Sequence, residues 1–468
     1  MAREREELTT AAPGFGTNGN TNGGASQPRW GGAAGGWGGM GSEVAAGSVL
    51  APAGGWLRTF ESLQIPEFRI YWVGMLFSFI GMQVGMLARQ WLVYDLTGST
   101  TALGVVGAVS GIPMLLLSIP GGVMANRVSR RTTLIVVQAI TCTMCFLIGF
   151  LILTGKIQIW HIVAASLIGG ATMTFNMPAR QAMIAALVGP EKLMNAVSLN
   201  SAGMNLTRII APTVAGILVA AVGLTAAYFV HASSFLIAIM LLLMLPVTVG
   251  RIQRWQRNSA LGDAVEGLKY VLGNRLVLSL MLLATVPAIF AMPYQMLLPV
   301  YARDILKVGP TGLGMMMSVT GAGALLGALA LASVGELRAK GKIMIIAAVS
   351  FGSMIALFAL APYLTRFGVS LPGVFILSLG LLGILGVVSQ SYMALNNTTV
   401  MLAIPDEVRG RVMGVYMMTW GFMPLGVLPV GILGDVIGVP IVLAAGGLLM
   451  AATSLLIWLA VPELRHLQ

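Results

Sequence analysis

The chain has 468 residues, of which 57% are apolar and only 9% are Asp, Glu, Lys or Arg. A soluble protein carries about 25% charged residues, roughly 117 in a chain of this length, whereas here there are 27 basic and 16 acidic side chains. So few charges cannot cover a water-facing surface, which excludes a large soluble enzyme and predicts an integral membrane protein whose +11 net charge sits in basic cytoplasmic loops rather than on a nucleic-acid surface.

Residues 1–64 differ from everything after them. Met1–Thr10 is charged, and residues 14–55 hold fifteen glycines, with no apolar run of signal-peptide length. Such a segment cannot bury enough surface to offset its chain entropy, and it reads as a disordered, glycine-rich cytoplasmic tail.

From Ile70 onward, apolar runs recur, each near the ~20 residues that cross a bilayer. They fall at about 70–93, 101–120, 132–154, 160–177, 196–221, 224–246, 276–299, 311–333, 342–362, 372–394, 411–433 and 439–461. The widest gap, 247–275, follows the sixth span. It holds Arg251, Arg254, Arg257, Lys269 and Arg275, and its stretch Ala260–Leu272 can form an amphipathic interfacial helix. The expected fold is all-α: twelve transmembrane helices, with a six-helix half over 65–246, a basic cytoplasmic linker over 247–275 and a second half over 276–468.

With the N-terminus cytoplasmic, 21 of the 27 basic residues fall in cytoplasmic segments. Lys156, Arg303, Lys307 and Arg366 fall in outer loops, and Arg89 and Arg208 within spans. That bias places both termini inside. The halves also repeat: Leu103-Gly104 and Ser110-Gly111 return as Leu313-Gly314 and Thr320-Gly321, an offset of 210. Pro190-Glu191 and Gly216-Ile217-Leu218 return as Pro405-Asp406 and Gly431-Ile432-Leu433, an offset of 215. Parallel duplicated halves put a substrate site between them, near the bilayer midplane.

The loop after span two reads Gly121-Gly122-Val123-Met124-Ala125-Asn126-Arg127-Val128-Ser129-Arg130-Arg131. It resembles the signature loop of the major facilitator superfamily, in which an acidic residue and its neighbouring Arg latch the inner gate. The resemblance assigns that role to Gly122, Asn126, Arg127, Arg130 and Arg131. Asn126 stands where the family usually has Asp, so it can cap a helix but cannot supply the charge.

Span five contains Arg208-Ile209-Ile210-Ala211-Pro212-Thr213-Val214-Ala215-Gly216. This looks like a degenerate antiporter motif of that superfamily, with Pro212 and Gly216 kept and Ala211 in place of a glycine. The plain alternative is packing of small residues in a membrane helix.

Three further strings are Trp91-Leu92-Val93-Tyr94-Asp95-Leu96-Thr97-Gly98-Ser99, Pro178-Ala179-Arg180-Gln181-Ala182 and Asn195-Ala196-Val197-Ser198-Leu199-Asn200. They resemble the enterobactin-exporter and secretion-effector branch, which includes macrolide-type efflux proteins. That resemblance implies proton-coupled efflux of a small organic molecule by alternating access.

Ionisable groups inside spans usually mark function. Arg208 either holds an anionic group of a substrate or only fixes helix packing. Arg89 lies near the outer end of span one, where it can snorkel. Asp95 is the carboxylate nearest the first-half cavity and a candidate for proton binding. His231 suits proton exchange by its pKa range, or packs as a hydrogen-bonded histidine. Asn176, Asn205, Tyr294, Gln295 and Gln390 complete the candidates for substrate or coupling. Pro287, Pro293 and Pro299 break span seven, which suits a gating helix.

Cys142 and Cys145 form a C-x-x-C with no further Cys or His ligand expected nearby, so they read as packing residues rather than a metal site. No Asp or Glu lies in the middle of any span, which disfavours an organic cation and favours a neutral or anionic substrate. No cofactor is expected, and the expected partners are a small-molecule substrate, protons and the lipid bilayer, with the chain a monomer. Two alternatives remain: an importer or lipid flippase of the same fold, and a non-transporting membrane sensor.

Overall fold

A computed structural model describes residues 56–125, 129–246, 260–334 and 339–465, and all of them are helical or lie in short turns between helices. In a bilayer each backbone polar group must find its partner within the protein, and a continuous helix meets that demand residue by residue. Ten of the described helical segments are long and apolar enough to cross a membrane.

The first half begins with a short 3-10 helix, Trp56–Gln64, followed by α1 (Pro66–Thr97), α2 (Thr100–Ala125), α3 (Arg130–Leu153), α4 (Ile159–Val222) and α5 (Leu224–Leu243). The linker contributes α6 (Ala260–Gly273). The second half comprises α7 (Arg275–Phe290), α8 (Tyr294–Val300), α9 (Gly309–Ser333), α10 (Lys340–Leu360), α11 (Leu371–Leu402), α12 (Asp406–Met418), α13 (Met423–Ile437) and α14 (Val439–Ala460).

Local sequence explains where these helices start and stop. Pro66 opens α1 at a position where its missing N–H costs nothing. Gly98 closes it in the left-handed region (φ 60°), its N–H bonding Tyr94 O at 2.8 Å. Ser129 caps α3 by accepting from Thr132 N at 3.1 Å, and Asn274 caps α7 by accepting from Val277 N at 3.1 Å.

The 64 residues of α4 would stretch about 96 Å as one straight helix, far beyond one bilayer. The segment is two crossings joined at Gly189 (φ 70°, ψ 173°), where Pro190 starts the second. Counting those two, and the 26-residue apolar helix α2, twelve crossings follow among the described residues.

Two boundaries differ from the sequence reading. Spans four and five were expected to stop at 177 and resume at 196, but the helix runs through Pro178 to Val188 and so carries Arg180 into the packed interior. Trp56–Gln64, expected in the disordered tail, is helical and tied to α4. Ser62 is fully buried and donates to Asn195 Oδ1 at 2.7 Å, while Lys192 pairs with Glu61 at 3.4 Å. Residues 1–55 lie outside the described residues, as does 247–259 of the linker. The predicted helix at 260–272 is present as α6, and it packs on α12, with the missing side chain of Gly267 against Arg411 O (2.6 Å from an added Cβ) and Glu266 bonded to Arg411 at 2.7 Å.

The halves meet along two helix crossings, α2 on α13 and the second part of α4 on α9. A Cβ on Gly104 would lie 3.2 Å from Gly431 Cα, and one on Gly216 would lie 3.2 Å from Gly314 Cα. These are the repeat glycines. The 210 and 215 offsets carry Gly104 onto Gly314 and Gly216 onto Gly431, so each crossing is the other's counterpart.

Candidate functional site

A cavity of about 310 Å³ lies between the halves, lined by α1, the second part of α4, the α7–α8 region and α9. Asn205 and Arg208 face it from α4, Tyr294 and Gln295 from α8, Gln83 from α1 and Thr320 from α9. Four of the residues singled out from sequence (Asn205, Arg208, Tyr294 and Gln295) are thus brought together across the two halves.

The local backbone explains the placement. Proline at 212 supplies no N–H to the carbonyl of Arg208, one helical turn earlier. That carbonyl faces Gly321 of α9, where a Cβ would sit 2.9 Å away, and the Arg208 stem packs at 3.2 Å from the same point. Ala211, Pro212 and Gly216 form the buried seam against α9. Thr213 N and Oγ1 bond Ser318 Oγ at 3.1 and 2.8 Å across that seam. The antiporter-like motif is therefore a close-packed contact between halves, with Arg208 projecting beside it into the cavity.

Span seven is broken as its prolines suggest: α7 ends at Phe290 and α8 begins at Tyr294. Pro287 leaves the Leu283 carbonyl without its helical donor, and the buried Tyr392 hydroxyl donates to it at 2.5 Å. Tyr392 is thereby committed to holding this bend.

A second cavity, about 490 Å³, lies mainly within the first half and shares Phe79, Met82, Gln83 and Met86 with the first. Arg89, Asn176 and His231 line it, so Arg89 faces a cavity rather than only the outer boundary. His231 sits in a notch made by Gly81 and Gly85, and its Nδ1 lies 3.2 Å from Cys145 Sγ. The expectation that no His lies near the cysteine pair is corrected here, because helix packing joins residues 86 apart in sequence. Among the described residues, no group of three or more His, Cys, Asp or Glu could hold a metal ion.

Arg180 also lines this cavity, and the sequence reading left it outside a span because span four was ended at 177. Its Nε donates to Asn176 Oδ1, its guanidinium lies 4.8 Å from the Phe79 ring centre, and Tyr71 donates to its backbone carbonyl at 3.2 Å. Neither cavity has an Asp or Glu among its described lining residues.

Cross-half polar contacts gather at the end of the bundle that holds the α1–α2 turn. Tyr94 donates to Asp304, a residue 210 positions later and so its own repeat counterpart. Asp95 lines neither cavity and pairs with Arg303 at 3.0 Å. Asp435, just beyond the predicted end of span eleven, caps α2 from the opposite half. It accepts from Thr100 N at 2.7 Å, Thr101 N at 2.9 Å, Thr100 Oγ1 at 2.8 Å and Ser99 Oγ at 2.6 Å. A carboxylate at a helix N-terminus satisfies orphan N–H groups and meets the positive end of the helix dipole.

Of the loop motif, Gly122 lies in the last turns of α2, and Asn126 and Arg127 lie outside the described residues. Arg130 donates to Ala182 O at 2.9 Å, and Arg131 donates to Leu242 O and Leu243 O, both at 3.0 Å. Both arginines tie α3 to helix backbone of the first half. Gln390 is half-buried on α11 and lines neither cavity.

Comparison with known proteins fits this architecture. Among solved structures, the nucleoside transporter NupG superposes with a TM-score of 0.68 at 14% identity, covering 86% of this chain and all of that one. A bacterial homologue of the iron transporter ferroportin, in an inward-facing state, gives 0.64 at 16% identity, covering 86% and 99%. Among curated relatives, the staphyloferrin A transporter of Staphylococcus aureus is 26% identical over 77% of this chain and 88% of its own length. The enterobactin exporter EntS of Escherichia coli is 25% identical over 88% and 96%, and the multidrug efflux pump Tap of Mycolicibacterium fortuitum 25% over 76% and 87%. Residues 57–468 match the transmembrane secretion effector family, and with twelve helical crossings in two repeated halves the chain belongs to that family of major facilitator transporters.

Proposed function

We propose that this transporter exports a small anionic amphipathic organic compound by alternating access, in exchange for protons. The observation that carries the reading is Arg208, a cation facing the cavity between the halves with no carboxylate among the described lining residues. A cation at membrane depth is costly unless it is paired or solvated in a cavity, and an anionic substrate supplies the pairing. Phe79, Met82, Met86 and Leu298 give the same cavity an apolar wall suited to the body of such a compound.

Direction and orientation are supported separately. Relatives named as exporters and efflux pumps cover most of the chain, and the antiporter-like seam at Pro212 and Gly216 accords with exchange against protons. The bias of basic residues favours cytoplasmic termini. In that orientation the Tyr94–Asp304 and Asp435–α2 contacts close the outer end.

Everted membrane vesicles test the reading. Energised vesicles should accumulate a catecholate siderophore or a comparable organic acid, and a protonophore should abolish the uptake. Arg208→Gln should lower that uptake at least about tenfold, the effect of removing a charge-assisted hydrogen bond. Uptake unaffected by both the protonophore and Arg208→Gln would overturn the proposal.

A further inference from the structure

The cavity within the first half contains a feature that the central site does not explain. Arg180 is only 8% exposed, and its Nη1 is buried without a hydrogen-bond partner. Ser78 is completely buried, and its Oγ is likewise unpartnered. Both side chains line the same cavity. Phe79, which follows Ser78 in sequence, lies under the Arg180 guanidinium.

Two unused donors, one of them charged, are expensive to keep out of bulk water. A bound water would fill a hydrogen bond but leave the charge of Arg180 uncompensated. Asn176, which accepts from Nε, is neutral and cannot compensate it. With no acid among the described lining residues, the partner that the Arg180 charge calls for is an oxyanion.

The rest of the wall says what kind of anion. Met82, Met86, Met144, Met173 and Met177 line the cavity with flexible apolar side chains. That wall would gain nothing from a compact hydrated ion such as sulfate, but it fits the hydrocarbon body of an organic acid. We infer that Arg180 and Ser78 form a second anion site, inside the first half and distinct from Arg208, that binds the carboxylate of an amphipathic organic acid. This rests on the reading of the chain as an exporter of anionic compounds, and extends it to a substrate engaged at two successive or simultaneous points.

The test is calorimetric titration of the purified full-length chain with naphthalene-2-carboxylate, its neutral carboxamide, and sulfate. The native chain should bind two carboxylates, with the amide at least about tenfold weaker at both sites and no measurable heat from sulfate. Arg180→Gln should remove one carboxylate and Arg208→Gln the other. Ser78→Ala, a smaller change, should weaken the Arg180 site about fivefold toward the carboxylate and leave the amide unchanged. Should Arg180→Gln fail to fold, the Ser78→Ala result decides.

Two carboxylates bound with native affinity in both Arg180→Gln and Ser78→Ala would overturn the second site, as would equal affinity for the amide. Loss of binding in Arg208→Gln alone would then leave the central reading standing. Loss in Arg180→Gln with none in Arg208→Gln would instead sustain the second site and count against the central one.

Discussion

The two crossings that join the halves share one plan and differ in chemistry. Gly104 against Gly431, in α2 and α13, is the repeat image of Gly314 against Gly216, in α9 and α4. At each, a missing side chain lets one helix backbone rest on the other. The α2–α13 crossing then adds its polar contacts at the end of the bundle, where Asp435 takes four hydrogen bonds from Ser99, Thr100 and Thr101. The repeat partner of Asp435 is Ala220 and that of Thr100 is Pro310, so the α4–α9 crossing has no such cap. Its polar groups lie deeper, with the Ser318–Thr213 bonds and Arg208 beside the central cavity. Duplication supplied two matching crossings, and divergence gave one a polar cap and the other a wall of the central cavity.

The comparison breaks most severely at its shared element. Gly314→Val would drive a branched side chain into the Pro212 carbonyl, where even a Cβ has no room. Transport should be lost, and stability should fall by about 1–3 kcal/mol in a thermal unfolding assay, the usual cost of overpacking. Parental transport by this variant would show that the close approach is dispensable.

Asp435→Asn tests the polar cap alone. The amide keeps one acceptor but loses the charge, and charge-assisted bonds are worth about 1.5–3 kcal/mol each. Spin labels at the exposed positions Leu96 and Val436 should report at least about a tenfold shift toward separation at that end. An unchanged distance distribution would remove Asp435 from the gate.

Ser318→Ala should cost about 1 kcal/mol, because Thr213 N retains its place in a helix and loses only the cross-half partner. Its effect should appear in transport rate rather than in the label distances at the other crossing. The smallest change expected is Asp95→Asn. Its partner Arg303 and Asp95 itself are both well exposed, so the loss should stay within about 0.5 kcal/mol. Proton-driven transport should persist, and a variant that lost it would return Asp95 to the coupling pathway.

Much of the fold was legible because it follows from local composition. A run of about 20 apolar residues has few options besides crossing the membrane as a helix, and α1, α3, α5 and α14 start and end within a few residues of their predicted limits. The bend in span seven was legible from its prolines, since a missing N–H acts on its own helix. Candidate residues fared less evenly. Asn205, Arg208, Tyr294 and Gln295 converge on one cavity, but Asp95 is taken up by Arg303. Arg180 was hidden because the apolar run of span four fades near 177, whereas the helix continues through Pro178 under tertiary packing. Asp435 was hidden because nothing near it in sequence needs a cap; the helix it caps lies 335 residues away.

The shortage of charge determined, from sequence alone, that this is an integral membrane protein, because solvation is a property of composition and length. Which charges meet was decided only in the tertiary structure. Arg208, Arg180 and Asp435 acquire their roles from partners, or from the lack of them, on helices distant in sequence. The energy of a charge in a low-dielectric interior depends on what lies within a few ångströms of it.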